Sequence, residues 1–320
     1  MNEFAVIKKY FSNLSKNNKG SFDLSDDIFF DYKKKIGISI DSYVEGTHFL
    51  NFKNPNLVIK KALRGAISDL ICKGIIPKYY FMSCSGNKKH LTQANLTKIK
   101  LALKEEQKKY NIFLAGGDTS YSNRLSITFS VIGYSKKSPV LRSGAKVNDD
   151  IYITNTIGDA FVGLKLLKGK IKLSKKNSDY FVRRFYLPIL PIKFSKKIHL
   201  FANSAIDISD GFFQDLQHIL SRSNLSSKIF KNKIPISSYL NSYLIRTKKN
   251  KLNFISNGDD YQILFTASKK MRHLIKKISK STSTKVSIVG IVKNKPISKN
   301  RKLTEEKFKF PKKLGYIHNF

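Results

Sequence analysis

The sequence predicts a mixed fold of strands and helices, α/β or α+β, in two parts that meet near residue 140. Three observations predict it. Apolar residues make up 41% of the 320-residue chain, with 23 Phe and 15 Tyr, which fills a sizeable core and excludes a disordered, collagen-like or disulfide-stapled chain. The length suits one large domain or two ordinary ones of roughly 150 residues each. Strand patterns also alternate with helix patterns and restart after the connection 135–150, SKKSPVLRSGAKVNDD. The expected parts are 1–140 and 141–320.

In chain order, Phe4, Ile7, Phe11 and Leu14 recur at helical spacing and predict an amphipathic helix over 2–14. IGISI (36–40) alternates into a strand ending at Asp41. A helix over 55–73 starts near Asn54-Pro55, with Leu57, Ala62, Ile67 and Leu70 apolar. KYYFMSCS (78–85) is a strand, 91–110 a helix, NIFLA (111–115) a strand and LSITFSVIGY (125–134) another. In the second part, IYITN (151–155) is a strand and 158–167 a helix. Residues 178–186 and 192–201 read as helices parted by Pro188 and Pro191. SAIDIS (204–209) is a strand running into a helix from Asp210 to Leu220. Residues 236–246, 261–266, 268–279 and 285–292 alternate helix and strand.

No stretch approaches the roughly 18 uncharged apolar residues of a membrane span. The opening MNEFAVIKKYFSNL has an acid, an early Lys pair and no small-residue cleavage site, unlike a signal peptide. Cys72 and Cys84 lie in apolar runs without disulfide or metal spacing and read as core thiols, consistent with a reducing cytoplasm. The net charge of +38 invites a polyanion partner. Yet only nine of the 60 bases are Arg, and the lysines are scattered rather than gathered in an Arg- and aromatic-rich patch. Nucleic acid is therefore not the expected partner.

Lysine is most informative where it is missing. Residues 36–52, 111–135, 198–227 and 252–268 contain none. These windows hold Asp41, Glu45, Asp118, Asp207, Asp210, Asp215, Asp259 and Asp260, with Gly or Ser close by; LSDD (24–27) and AISDLICKG (66–74) add two more acidic sites. A strongly basic chain that keeps acids and small residues together at six places needs negative oxygens for a cation. Hard oxygen ligands without clustered His or Cys fit Mg²⁺, which is commonly shared between carboxylates and substrate phosphates.

The ordered set LSDD, SIDSYVEGTHF (39–49), AISDLICKG, LAGGDTS (114–120), RSGAK (142–146), IYITNTIGDAFVGL (151–164), NSAIDISDG (203–211) and SNGDDYQI (256–263) resembles the bacterial thiamine-monophosphate kinases. These belong to the ATP-binding superfamily typified by aminoimidazole ribonucleotide synthetase. The resemblance runs from Phe4 to Tyr316. It implies an α+β fold of two domains: an N-terminal mixed α/β domain (1–140) that binds ATP and Mg²⁺ and pairs its sheet with a second copy, and a C-terminal α+β domain (141–320). It also implies a cytoplasmic homodimer that phosphorylates thiamine monophosphate to thiamine diphosphate with Mg·ATP.

Site roles follow by the same resemblance. Asp27, Asp41, Asp69, Asp118, Asp207 and Asp210 match metal ligands, with Ser39 and the carbonyl of Ile40 beside Asp41. Gly117, Asp118, Arg142 and Ser209 match ATP contacts, and Asp207 with Asp210 would carry catalysis. His48, Asp259 and Tyr316 match contacts to the thiamine substrate. Each has a simpler reading: Asp26-Asp27 as a turn or helix cap, Gly117-Asp118 as a β-turn, Asp210 as an N-cap, Arg142 as a solvated linker residue. Asp69 is harder to dismiss, because a lone acid inside an apolar helical pattern is costly unless paired or metal-bound. Asp207, Ser209 and Asp210 bring two acids and a hydroxyl to a strand edge beside helix N–H groups.

No GxxxxGK[ST] loop or protein-kinase signature occurs. Direct in-line transfer to an already anionic phosphate is therefore the expected chemistry, carried by positioning and charge neutralisation. The chain departs from the family pattern at Ser25 (for Gly), Ile40 (for Thr), Asn257 and Asp259 (in a Gly-Gly-Glu segment) and at Cys72-Lys73 within a small-residue run. Two alternatives are another ATP-dependent synthetase of the superfamily and an inactive, basic, nucleic-acid-binding relic.

Overall fold

The computed structural model describes residues 1–295 and 314–316. The chain opens with helical turns of three pitches: Glu3–Val6 (α1), a π turn at Ile7–Phe11 and a 3₁₀ turn at Ser12–Ser15. The regular amphipathic helix expected here does not form. Nothing from Glu3 to Phe11 is buried and Leu14 is 84% exposed, so packing does not impose one pitch on a segment too short to be helical alone.

Strands β1 (Phe29–Asp31) and β2 (Ile36–Val44) precede helix α2 (Pro55–Cys72). Strand β3 (Ile76–Gly86), helix α3 (Gln93–Tyr110), β4 (Phe113–Tyr121) and β5 (Ser126–Tyr134) follow. These strands form a sheet of order β1-β2-β5-β3-β4, antiparallel except for β3–β4. Alternation sends Tyr80, Ile127, Phe129 and Val131 into the core with Ile59, Leu63, Ile67 and Leu70 of α2. Arg64 fixes α2 to α3 through a buried bidentate pair with Glu106, at 2.8 and 2.7 Å. The other face keeps Ile40, Tyr79 and Phe81 exposed, and among the described residues β4 pairs only with β3.

The second half contains β6 (Asp150–Thr154), α4 (Asp159–Leu167), α5 (Lys175–Tyr186), α6 (Ile192–Ser195) and β7 (Ala202–Asp207). Helix α7 (Phe212–Arg222), β8 (Leu225–Ile229), α8 (Ser238–Thr247) and α9 (Leu252–Ile255) come next. Strand β9 (Ile263–Ala267), α10 (Arg272–Ser281) and β10 (Val286–Asn294) complete it. The second sheet, β7-β9-β6-β10-β8, is antiparallel throughout. With one parallel pair in ten strands, the class is α+β.

The core crosses the junction between the halves. Cys72 packs with Phe194, Ile198 and Phe265, and Tyr261 joins the first-half core. Three local expectations are corrected. Asp41 lies inside β2, paired with Phe129, rather than at a strand end. Gly117 and Asp118 lie inside β4, paired with Met82 and Ser83, rather than in a turn. The helix over 192–201 breaks into α6 and a 3₁₀ turn at Ile198–Leu200. Strands β1 and β8 were not anticipated, being short segments at sheet edges.

Candidate active site: a carboxylate cleft between the halves

Helix α2 is the spine of the site. Lys61, Gly65 and Asp69 recur every four residues along it and Lys73 follows at its C-cap, so they share a slowly winding stripe. Gly65 is required by closeness: a Cβ there would sit 1.8 Å from Tyr43 Oη and 3.3 Å from Asp41 Oδ2. Its absence lets β2 bring Asp41 against the helix. The Ser39 hydroxyl holds the same strand to α2 by donating to the Ala66 carbonyl at 2.7 Å.

Above α2 opens a cleft of about 1170 Å³ whose walls include Asp26, Asp27, Asp41, Asp69 and Asp210. Asp207, at the end of β7, is buried beside it and accepts a hydrogen bond from the Ser68 hydroxyl through Oδ2. Its Oδ1 is buried with no hydrogen-bond partner among the described residues. Carboxylate oxygens of Asp27 and Asp207 and the Cys72 sulfur lie within 4.8 Å of one another, as do ligand atoms of Asp210, Asp215 and His218. The Phe4 ring covers His218 at 4.7 Å between centroids.

This crowding reshapes the acids' affinity for protons. Burial pushes Asp41 up to about 7, helped by the charges of Asp207, Asp27 and Glu3. Burial and the Asp27 charge raise Asp207 to about 6, against lowering by Ser68, Lys73 and Arg142. Asp210 reaches about 7 through burial, Asp207 and Glu3. Asp69 and Asp215 lie well above the usual carboxylate range for the same two reasons, burial and neighbouring acids. Asp27 goes the other way: burial alone would raise it, but Arg142 and Lys73 hold it far below its ordinary value.

Most of the residues singled out from sequence converge here. Asp27, Ile40, Asp41, Asp69, Arg142, Ser209, Asp210, His48, Asp259 and Tyr316 line the cleft. Arg142 pairs with Asp27 through Nε at 3.1 Å and through its other fork nitrogen, while its backbone N–H donates to Asp26 at 2.7 Å. His48 Nδ1 accepts from the Val44 N–H at 3.0 Å, which puts the neutral ring's proton on Nε2. Tyr316 donates its backbone N–H to the Asp210 carbonyl at 3.0 Å. Ser39 is buried beneath the cleft rather than on its wall. Gly117 and Asp118 do not line it; their strand lies at the far edge of the first sheet.

Sequence reasoning missed the groups that hold these residues. Lys61, fully buried, pairs with Asp259 Oδ1 at 2.9 Å. Tyr261 links Asp259, at 3.2 Å, to Tyr43, at 2.7 Å. Lys73 reaches Asp26 and Asp27. The one signal for either lysine was the departure at Cys72-Lys73 from a small-residue run. The tyrosine pair spans 218 residues of sequence and left none.

Residues 25–135 match the family described as AIR synthase related protein, N-terminal domain. The chain is 36% identical over 327 residues to a thiamine-monophosphate kinase of Buchnera aphidicola subsp. Acyrthosiphon pisum, covering 99% of this chain and 98% of that one. It is 30% identical over 328 residues to the thiamine-monophosphate kinase of Bacillus subtilis, covering 99% of each. A solved structure described as AaThiL complexed with AMPPCP and TMP superposes at a TM-score of 0.85 and 26% identity, over 99% of this chain and 97% of that one.

Proposed function

The chain belongs to the thiamine-monophosphate kinase family, and on that premise we propose that its cleft transfers the terminal phosphoryl group of ATP to the phosphate of thiamine monophosphate, giving ADP and thiamine diphosphate. The observation that carries this reading is the convergence of Asp27, Asp41, Asp69 and Asp210, drawn from distant parts of the sequence, on one cleft of about 1170 Å³, with Asp207 buried beside it.

The residues fit divalent ions. The donor set is hard oxygen, and a buried carboxylate oxygen without a partner, Asp207 Oδ1, asks for a cation. Asp41, Asp69, Asp207 and Asp210 would hold Mg²⁺, with the Ile40 carbonyl at the margin, whereas the Asp27 oxygens already meet Lys73 and Arg142. When bound, such ions neutralise charge on the transferring phosphoryl group. The chain's own residues do the rest. Arg142 is a planar donor at the mouth of the acid cluster, suited to a nucleotide phosphate. Asp207 and Asp210 fix the reacting groups. Ser209 sits between these acids and the substrate wall, its carbonyl accepting from the Asp259 N–H at 2.9 Å.

On the acceptor side, His48 Nε2–H offers a donor to the thiamine phosphate. Asp259, held by Lys61 and Tyr261, faces the cation-bearing part of the substrate. Tyr316 offers a half-exposed ring. An attacking phosphate oxygen is anionic near neutral pH, so no residue is needed to take a proton from it.

Residues 1–140 form the ATP- and metal-binding part in this reading and 141–320 the second part. The uncovered sheet face around Ile40, Tyr79 and Phe81 and the unpaired edge of β4 support a homodimer. In this reading a second copy paired along β4 would bring Gly117 and Asp118 toward a nucleotide. No helix among the described residues is long and apolar enough to cross a membrane, and consumption of ATP fits a cytoplasmic enzyme. Incubating the purified chain with ATP, Mg²⁺ and thiamine monophosphate should yield thiamine diphosphate by chromatography. Turnover with some other acceptor only, or none at any Mg²⁺ level, would reject the proposal.

A further inference from the structure

Lys73 is the last residue expected beside a metal-binding acid pair. It caps the C-terminus of α2 and its side chain is completely buried. The ammonium lies 2.8 Å from Asp26 Oδ1 and 3.0 Å from Asp27 Oδ2, and it donates to the Ala205 carbonyl at 2.8 Å. Its three protons therefore have three oxygen acceptors, from β7 and from the loop before β1. Together with Arg142 it satisfies the whole pair: each of the four oxygens of Asp26 and Asp27 meets at least one N–H donor. Two carboxylates face two fixed cations, and the group is locally neutral.

Among the described residues, Asp41, Asp69, Asp207 and Asp210 have no ion pair. The cluster thus divides into a half that the protein neutralises itself and a half that it leaves to ligands. We infer that Lys73 is a tethered cation of the phosphoryl-transfer site: it fills the position that Asp26 and Asp27 would otherwise offer to a divalent ion, so the enzyme binds one ion fewer than its carboxylates could support. A fixed ammonium suits this role because it is compact, carries a full charge and, surrounded by acids, keeps its proton. It cannot dissociate at low Mg²⁺, so Asp27 and Arg142 stay in place when ions are scarce. Lys73 is a positioning residue in this scheme, acting through Asp27 and Arg142 rather than on substrate.

The inference rests on the kinase reading, and its test separates the two. Crystals of the native protein soaked in Mn²⁺ should show anomalous peaks near Asp207 and Asp210 and none between Asp26 and Asp27. A native peak at the acid pair, with Lys73 displaced, overturns the inference while leaving the kinase reading intact. Lys73→Met should bind one additional Mn²⁺ per chain by titration calorimetry and show the missing peak. Its thermal stability should become strongly dependent on Mg²⁺, whereas Lys73→Arg should keep the native stoichiometry. Unchanged stoichiometry in a folded Lys73→Met overturns the inference; should Lys73→Met not fold, the native Mn²⁺ map decides. Absence of any metal binding or turnover by the native chain would instead be a failure of the kinase reading.

Discussion

Two ends of one cleft treat negative charge in opposite ways. Around Asp26 and Asp27 every carboxylate oxygen meets a donor from Lys73, Arg142 or the backbone. A few ångströms away Asp207 buries an oxygen that meets none. The first end is built like structural ion pairs elsewhere in the fold, such as Arg64–Glu106. The second keeps acids whose charge the folded chain cannot accommodate alone. Buried acids without partners destabilise a protein and persist where a ligand repays the cost. The difference therefore separates, inside a single cluster, the acids that the chain neutralises itself from those that it leaves to ligands.

The largest expected effect comes from Asp207→Asn. It keeps the shape and the Ser68 contact but removes a charge, so transfer should fall by at least about 100-fold. In metal-free buffer at pH 8 the same variant should be more stable, by on the order of 2 kcal/mol or a few degrees of melting temperature, because a disfavoured charge has gone. Asp27→Asn should lose stability under the same conditions, since it leaves Lys73 and Arg142 short of an acceptor. Calorimetric melting of both variants breaks the comparison if they shift in the same direction.

A smaller effect is set by pH. Asp41 and Asp210 hold their protons up to about 7 and Asp207 up to about 6, whereas unfolded carboxylates release theirs near pH 4. Between those limits the native state binds more protons than the unfolded one, so metal-free stability is greatest at acid pH and declines as pH rises toward 7. Mg²⁺ competes with these protons. Its stabilising shift in melting temperature should be small at pH 5 and several-fold larger at pH 8; a shift independent of pH would place the ions elsewhere.

The smallest change is expected from His48→Ala, which lies outside both ends. It should raise KM for thiamine monophosphate by roughly tenfold, the value of one lost charge-assisted hydrogen bond, and leave KM for ATP nearly unchanged. Equal effects on both substrates, in steady-state kinetics, would remove His48 from the acceptor site.

Much of this was legible in the sequence where chemistry is local. Asp69 stood out because an acid in an apolar helix must answer to something nearby, and Asp207-Ser209-Asp210 because a strand running into a helix aligns its own oxygens. Gly117-Asp118 was misread because two glycines before an acid satisfy the rules for a turn, and only pairing with β3 makes them a strand. Lys73 was visible only as a departure from a small-residue run, with no indication of what it would meet. Its partners are Asp26, Asp27 and the Ala205 carbonyl, 132 residues away, and periodicity carries no information about contacts of that range. Edge strands β1 and β8 escaped for a different reason: β1 has only three residues, and β8, LSSKI, is mostly polar and lacks the apolar pattern that marked β6 and β9.

Gly65 sets a limit on how this protein can change. A Cβ at this position would sit 1.8 Å from the Tyr43 hydroxyl, so even alanine would force that buried ring to move. Lysines are scattered along most of the sequence, yet at this one buried position any side chain collides with the Tyr43 hydroxyl. A substitution here would disturb how β2 sets Asp41 against α2.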